Sequence, residues 1–201
     1  MKYLLINSAT TNLVVAIINS GKIVYIYDEN DGNDTSSKIM PIIKEAFDVS
    51  NIKPKDIDKI FVCSGPGSFT GIRVGLTVAK TMAWSLNIPC FTFSSLELMA
   101  SGYDCDVMTL IDARRGYVYA GGYDKDLNSF YKDSYVLFDG LKGKFVSYDS
   151  FDFSTVKPKL DILKLIKKHE NDEVINPHLI NPNYLKLTEA EEKRLNDRRD
   201  K

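Results

Sequence analysis

The residues that most invite a chemical reading form one run, Gly65-Pro66-Gly67-Ser68-Phe69-Thr70-Gly71-Ile72-Arg73-Val74-Gly75. Four glycines and a proline in eleven residues are entropically costly and are kept where the backbone must turn sharply or approach something closely. The run follows a short apolar stretch centred on Ile60, Phe61 and Val62 and opens into a long apolar-rich segment, the pattern of a strand, a turn and a helix. Backbone N–H groups in such a turn sit at the positive end of the helix dipole, which suits a phosphate or tight helix packing. No Lys-Ser or Lys-Thr pair closes the run as in a Walker loop, and it is not a GxGxxG dinucleotide turn. An anion cradle and a purely structural turn both remain open.

Other candidate groups are sparse. Ser8, Thr10 and Thr11 follow the apolar Leu4-Leu5-Ile6 and could bond a phosphate, but such residues are also ordinary hairpin-turn formers. Asp112 opens a comparable turn, Asp112-Ala113-Arg114-Arg115-Gly116, as a single carboxylate without an evident partner. His169 and His178 are nine residues apart with Asn176-Pro177 between them, so they cannot share a helical face as a metal pair, and both are expected at the surface. Cys63, Cys90 and Cys105 are odd in number and widely spaced, which fits buried, inert thiols in a reducing cytoplasm better than disulfides or a metal knuckle. Cys63 and Ser64 precede the glycine turn without a GxSxG pattern or a recognisable base. No catalytic residue, metal site or cofactor is assigned.

The elements that must position these groups alternate in type. Residues 3–6, 13–18 and 23–27 are rich in Val, Ile and Tyr and predict an antiparallel meander, followed by a polar loop over 28–35. Ser36 or Ser37 can cap a helix reaching residue 47, with Ile39, Ile42, Ile43, Ala46 and Phe47 at helical spacing and Pro41 near its start. A helix over 69–86 follows the glycine turn. Ser94-Ser95-Leu96-Glu97 has capping-box form before a short helix. Residues 107–111 and 117–123, joined by the Asp112 turn, repeat the strand, turn, strand pattern of residues 4–18, which suggests two related lobes. Beyond Ser134 the pattern weakens into turns and edge strands, including residues 148–154. A basic amphipathic helix is expected over 160–168 and a charged helix from Thr188 to about Arg199.

The 69–86 helix is apolar around most of its circumference, with Arg73, Thr77 and Lys80 on one narrow stripe. A surface helix carries a single apolar stripe, so two sides of this one should be covered. Either it is sandwiched within its own domain, or it meets another subunit where Gly71, Gly75 and Ala79 allow close approach. On the second reading the interface comprises Ile39, Ile43, Phe47, Gly71, Val74, Gly75, Val78, Ala79 and Met82.

The 201-residue chain carries a formal net charge of −1, which gives no bulk attraction to nucleic acid or acidic lipid. Strong independent binding of nucleic acid and membrane association are therefore not expected. No apolar window reaches the roughly 18–20 residues of a membrane span, and the N-terminus has no cleavage pattern, so a soluble, unprocessed chain is expected.

The glycine-rich run resembles the signature of the TsaB family. Supporting similarities are Leu4-Leu5-Ile6-Asn7-Ser8-Ala9-Thr10-Thr11, Lys38-Ile39-Met40-Pro41, Ser94-Ser95-Leu96-Glu97, Asp112-Ala113-Arg114-Arg115 with Val118-Tyr119, and Pro182-Asn183-Tyr184-Leu185-Lys186. The resemblance implies an α/β, two-lobed actin-like or sugar-kinase-like fold with mixed sheets flanked by helices. An N-terminal lobe over 1–102 would carry the glycine motif and partner interface. A smaller C-terminal lobe over 103–201 would follow, with its final helix packing back. It also implies a non-catalytic scaffold that pairs with a TsaD-like threonylcarbamoyltransferase acting on the adenosine beside the anticodon. A TsaE-like ATPase would engage the assembly, and a homodimer is the alternative when the chain is alone.

Active members of that superfamily end the first strand in an aspartate, where this chain has Asn7. Asn7, Ser8, Thr10 and Asp112 are then candidates for a vestigial nucleotide contact. The metal-binding HxxxH helix of TsaD is absent, and Thr35 stands where relatives often carry His. The competing reading is a small-molecule kinase or ATPase of the same fold.

Overall fold

The computed structural model describes residues 1–30, 34–174 and 176–186. The expected helix over 188–199 lies outside the described residues. Two mixed sheets organise the chain. The first has the order β3-β2-β1-β4-β5, built from β1 (Lys2–Asn7), β2 (Asn12–Asn19), β3 (Lys22–Asn30), β4 (Lys59–Gly65) and β5 (Cys90–Ser94). β1, β2 and β3 form the antiparallel meander, whereas β4 and β5 run parallel to β1. The second sheet, β8-β7-β6-β9, uses β6 (Val107–Asp112), β7 (Tyr117–Tyr123), β8 (Ser129–Leu137) and β9 (Phe145–Val146). It repeats the first in reduced form: β6, β7 and β8 are antiparallel and β9 adds parallel to β6.

The core follows from the strands' composition. β1, β2 and β4 are near-continuous runs of buried Leu, Ile and Val because the first sheet is covered on both faces. Phe61 lies at its centre, stacked on Phe91 at 5.2 Å and met edge-on by Tyr3 at 5.5 Å. β3 is the edge strand and extends three residues beyond the expected end at residue 27, so the polar loop starts later. Asp28 is held in the ladder opposite Val14 and accepts a hydrogen bond from the Asn12 side chain at 2.8 Å.

Helix α1 (Thr35–Ser50) starts before Ser36 and Ser37 and ends after Phe47. Its cap residue is Asp34, whose carbonyl receives the Ser37 hydroxyl at 2.9 Å. Asn51 closes it in the left-handed conformation that asparagine tolerates. α2 (Phe69–Leu86) is capped by Ser68, whose hydroxyl oxygen accepts from the Gly71 N–H at 3.2 Å. Its buried face of Gly71, Ile72, Gly75, Leu76, Ala79 and Ala83 lies on the sheet, and Ile72 and Leu76 contribute about 1.5–3 kcal/mol each by leaving water.

The short helix α3 (Ser95–Ala100) is buried along its length. Ser94 caps it through the Leu96 N–H, but Glu97 does not close the expected capping box, because its carboxylate is taken by Lys168 and His169. The chain passes to the second sheet beside Ser101 and Gly102 and returns beside them: Gly102 N–H donates to the Lys159 carbonyl at 2.9 Å and Asp161 N–H to the Ser101 hydroxyl at 2.8 Å. Helix α4 (Ile162–His169), capped by Asp161, then packs Ile162, Leu165 and Ile166 into the first sheet's core. The segment after residue 160 thus packs against the first sheet. β8 carries no clean alternation in its sequence, and residues 148–154 form bends, with one isolated bridge between Val146 and Val156.

Candidate functional site

A cleft of about 970 Å³ opens where the two strand, turn, strand repeats face each other. Its walls include Thr10 and Thr11 of the β1–β2 turn, Thr35 and Ser36 of α1, residues 67–71 of the glycine loop, Asp112 and Arg114 of the β6–β7 turn, and Tyr148 and Asp149. Of the four nucleotide-contact candidates, the cleft exposes Thr10 and Asp112 and excludes Asn7 and Ser8. Asn7 is fully buried; its Nδ2 donates to Thr10 Oγ1 at 2.9 Å and its Oδ1 accepts from the Ala9 N–H at 3.1 Å. Ser8 turns away and donates to the Gly71 carbonyl at 2.7 Å. The Thr10 hydroxyl donates in turn to the Asn12 carbonyl at 2.8 Å. Asp112 is exposed and accepts from the Arg114 N–H at 2.7 Å, while its own N–H donates to Asp149 at 2.8 Å. The Asn7 amide is consumed in shaping the turn, as is the Ser8 hydroxyl.

The glycines of the loop are explained by close approach. A Cβ on Gly67, whose φ is +145°, would overlap the Ala9 carbonyl, and the Ser68 N–H donates to that same carbonyl at 2.7 Å. A Cβ on Gly71 or Gly75 would overlap the Ser8 carbonyl or hydroxyl. The loop therefore meets the β1–β2 turn backbone to backbone, the structural member of the two readings.

This packing corrects the interface expectation at its small residues. Gly71, Gly75 and Ala79 face the protein's own first sheet and turn, and Ile39 and Ile43 are likewise buried in the chain's core, as is most of Phe47. Val74, Val78 and Met82 are half-buried. The second cover on α2 includes the chain's own segment 177–186. Asn183 N–H donates to the Ser64 carbonyl at 2.7 Å, Lys80 Nζ to the Ile180 carbonyl at 2.8 Å, and Arg73 Nε to the Tyr184 hydroxyl at 2.8 Å. Tyr184 stacks on Phe69 at 4.9 Å and Arg73 lies 4.1 Å over the same ring. Exposed on the two helices are, among others, Met40 and Val49 of α1 and Phe69, Thr77 and Trp84 of α2. The spacing of Thr77 and Trp84 along α2, seven residues apart and away from the buried stripe, was the available signal for an outer face.

A second polar cluster escaped the sequence reading. Buried Glu97 takes an ion pair from Lys168 and one from His169 Nε2 at 2.8 Å, and His169 Nδ1 meets Asp172 at 2.6 Å. His169 is thus not a surface residue, its side chain being 15% exposed, because α4 lays it against α3; His178 is exposed, edge-on to Trp84. Burial favours neutral forms of both Glu97 and His169. Their mutual attraction, with Lys168 and Asp172, outweighs it, holding the Glu97 carboxyl below the usual range and the His169 imidazole above it. Asp133 nearby is shifted upward by burial, with the hydroxyls of Ser94 and Tyr123 opposing in part. Burial pushes the Cys63 and Cys90 thiols up to about 12, in keeping with inert thiols, whereas Cys105 is exposed. Among the described residues no group of His, Cys, Asp and Glu is arranged to hold a metal, and no helix is long and apolar enough to cross a membrane.

The family model described as TsaD, tRNA N6-adenosine threonylcarbamoyltransferase, matches residues 32–139. The tRNA threonylcarbamoyladenosine biosynthesis protein TsaB of Bacillus subtilis is 37% identical over 126 residues, covering 61% of this chain and 55% of the relative. TsaB of Escherichia coli is 32% identical over 136 residues, covering 65% and 58%. The chain thus spans less than two thirds of the length of these relatives. YeaZ from Pseudomonas aeruginosa superposes with a TM-score of 0.78 at 19% identity, covering 92% of this chain and 99% of that one, and so shares the fold.

Proposed function

This chain belongs to the TsaD family of tRNA N6-adenosine threonylcarbamoyltransferase-type proteins, in its TsaB branch, and from that premise we propose that it is a non-catalytic subunit in threonylcarbamoyladenosine synthesis on tRNA. It pairs through α1 and α2 with a TsaD-like transferase, and a TsaE-like ATPase engages the pair. The observation that carries the reading is Asn7. At the end of β1, where the resemblance calls for a metal-directing aspartate, both polar atoms of its amide are committed to the β1–β2 turn. A neutral, inward-facing amide supplies no charge for a hydrated cation in the cleft. The outer face of α1 and α2, carrying Met40, Phe69, Thr77 and Trp84, supports the pairing. The half-buried Val74, Val78 and Met82 line its margin.

A scaffold acts through binding free energy, so excess partner restores a weakened interface by mass action, whereas a lost catalytic group stays lost. The test is threonylcarbamoyladenosine formation in a reconstituted system at low and high concentrations of the transferase. Variants at Asp112 should retain activity, and variants on the outer face of α2 should lose it at low partner concentration and recover it at high. Activity abolished by Asp112→Ala in a folded, normally paired complex, and not restored by excess partner, would overturn the scaffold role.

A further inference from the structure

We propose that the two lobes are locked in one relative orientation by three hydroxyl–carboxylate pairs, Thr11 with Asp149, Tyr148 with Asp28, and Ser94 with Asp133, so that the cleft is preset and does not close around a ligand. In each pair the hydroxyl belongs to one lobe and the carboxylate to the other. Thr11 and Ser94 of the first lobe donate to Asp149 and Asp133 of the second, and Tyr148 of the second donates to Asp28 of the first at 3.1 Å.

Each carboxylate is also held by a second donor from its own lobe. Asp149 accepts from the Asp112 N–H at 2.8 Å, Asp28 from the Asn12 side chain at 2.8 Å, and Asp133 from the Tyr123 hydroxyl. The acceptors are therefore aimed before the lobes meet, which removes much of the ordering cost of a cross-lobe bond. All three bonds are partly buried, where the low local dielectric strengthens a hydrogen bond.

The placement makes the three ties act together. Two of them adjoin the cleft, at the β1–β2 turn and at β3. The third joins the end of β5 to β8, next to buried α3, where the chain goes on to cross between lobes. A rotation that opens the cleft about the crossover at Ser101–Gly102 and Lys159 must break both cleft ties, and the Ser94 tie resists the compensating twist.

The hydroxyls can be removed without changing side-chain shape. In the Thr11→Val/Tyr148→Phe double variant, hydrogen–deuterium exchange of the segments 9–12, 110–114 and 147–150 should accelerate about 10-fold or more, as losing two bonds of this kind allows. Amides of β1 and β4 should keep their protection. Ser129→Ala, which removes a hydroxyl bonded within its own lobe, should leave the cleft segments unchanged. Unchanged exchange at the cleft in the double variant would overturn the lock, as would uniform acceleration across both sheets, since that would mean the bonds hold the fold and not the orientation. Should the double variant fail to fold, Tyr148→Phe alone is read against the same two outcomes.

Discussion

The hydroxyl of Ser8 occupies the space that a side chain on Gly75 would need, and it donates to the carbonyl of Gly71 one turn earlier on the same helix. Gly75→Leu therefore cannot serve as a probe of subunit contact. It should destabilise the monomer by about 3 kcal/mol or more, because a leucine there must displace the β1–β2 turn. Urea denaturation of the isolated chain measures this, and a native midpoint for the variant would refute the packing described.

Restoring a carboxylate at the end of β1 should not create a nucleotide site. Asn7→Asp keeps the acceptor for the Ala9 N–H but loses the donor to Thr10 and buries a charge, so a loss of about 1–3 kcal/mol of stability is expected. Calorimetry with ATP and Mg²⁺ should show no gain in affinity over the parent. Tight binding by the variant would mean that the turn can reopen toward the cleft.

The Glu97–His169–Asp172 cluster sets a pH dependence whose sign can be worked out. His169 has a raised pKa in the folded state, so its stabilising contribution is complete below its unfolded value near 6.5 and fades as pH rises through the folded value. Glu97, held low, works in the opposite window: its contribution is present above about 4.3 and is lost on acidification. Asp133, pushed up, partly offsets that acid loss, because its strain is relieved on protonation. His169→Gln should remove the decline in urea-melt stability that sets in as pH rises above about 6.5. A slope in the variant equal to that of the parent would place the titration elsewhere.

An exposed position on α2 tests pairing without touching the core. Thr77→Arg should leave the thermal midpoint unchanged and weaken association with a TsaD-like partner about 10-fold or more, since an arginine inserted into a packed helix interface must be desolvated. Analytical size exclusion of mixed proteins gives the measurement. Undiminished pairing would move the interface off this face.

Local pattern was enough to read four strands of the first sheet, but not β5, which is only five residues long and merges into the Ser94 cap of α3. The meander, β4 and α2 carry their signals in runs of Val, Ile and Leu and in the spacing of a single helix, and the glycine loop announced a close approach. Nothing local announced what it approached. Thr11 and Asp149 are 138 positions apart, and neither has neighbours that set it apart from ordinary turn residues. His169 looked like a surface residue because the carboxylate that buries it lies on α3, 72 positions away. The small residues of α2 leave an internal sandwich and an intersubunit seam both open in the sequence, because sequence shows that a helix is closely packed, not against which neighbour. β8 lacked alternation because, as an edge strand, it is only partly covered.

The return of the chain from the second sheet to the first bears on how the protein is made. During synthesis β1 through β5 emerge well before α4 and the 177–186 segment that complete their cover. Until then the first sheet presents uncovered apolar surface on the side that Ile162, Leu165 and Ile166 will fill, so a nascent chain stalled after β8 would be a natural client for a holdase chaperone. Truncation before residue 160 should therefore yield an aggregating fragment, not an autonomous first domain.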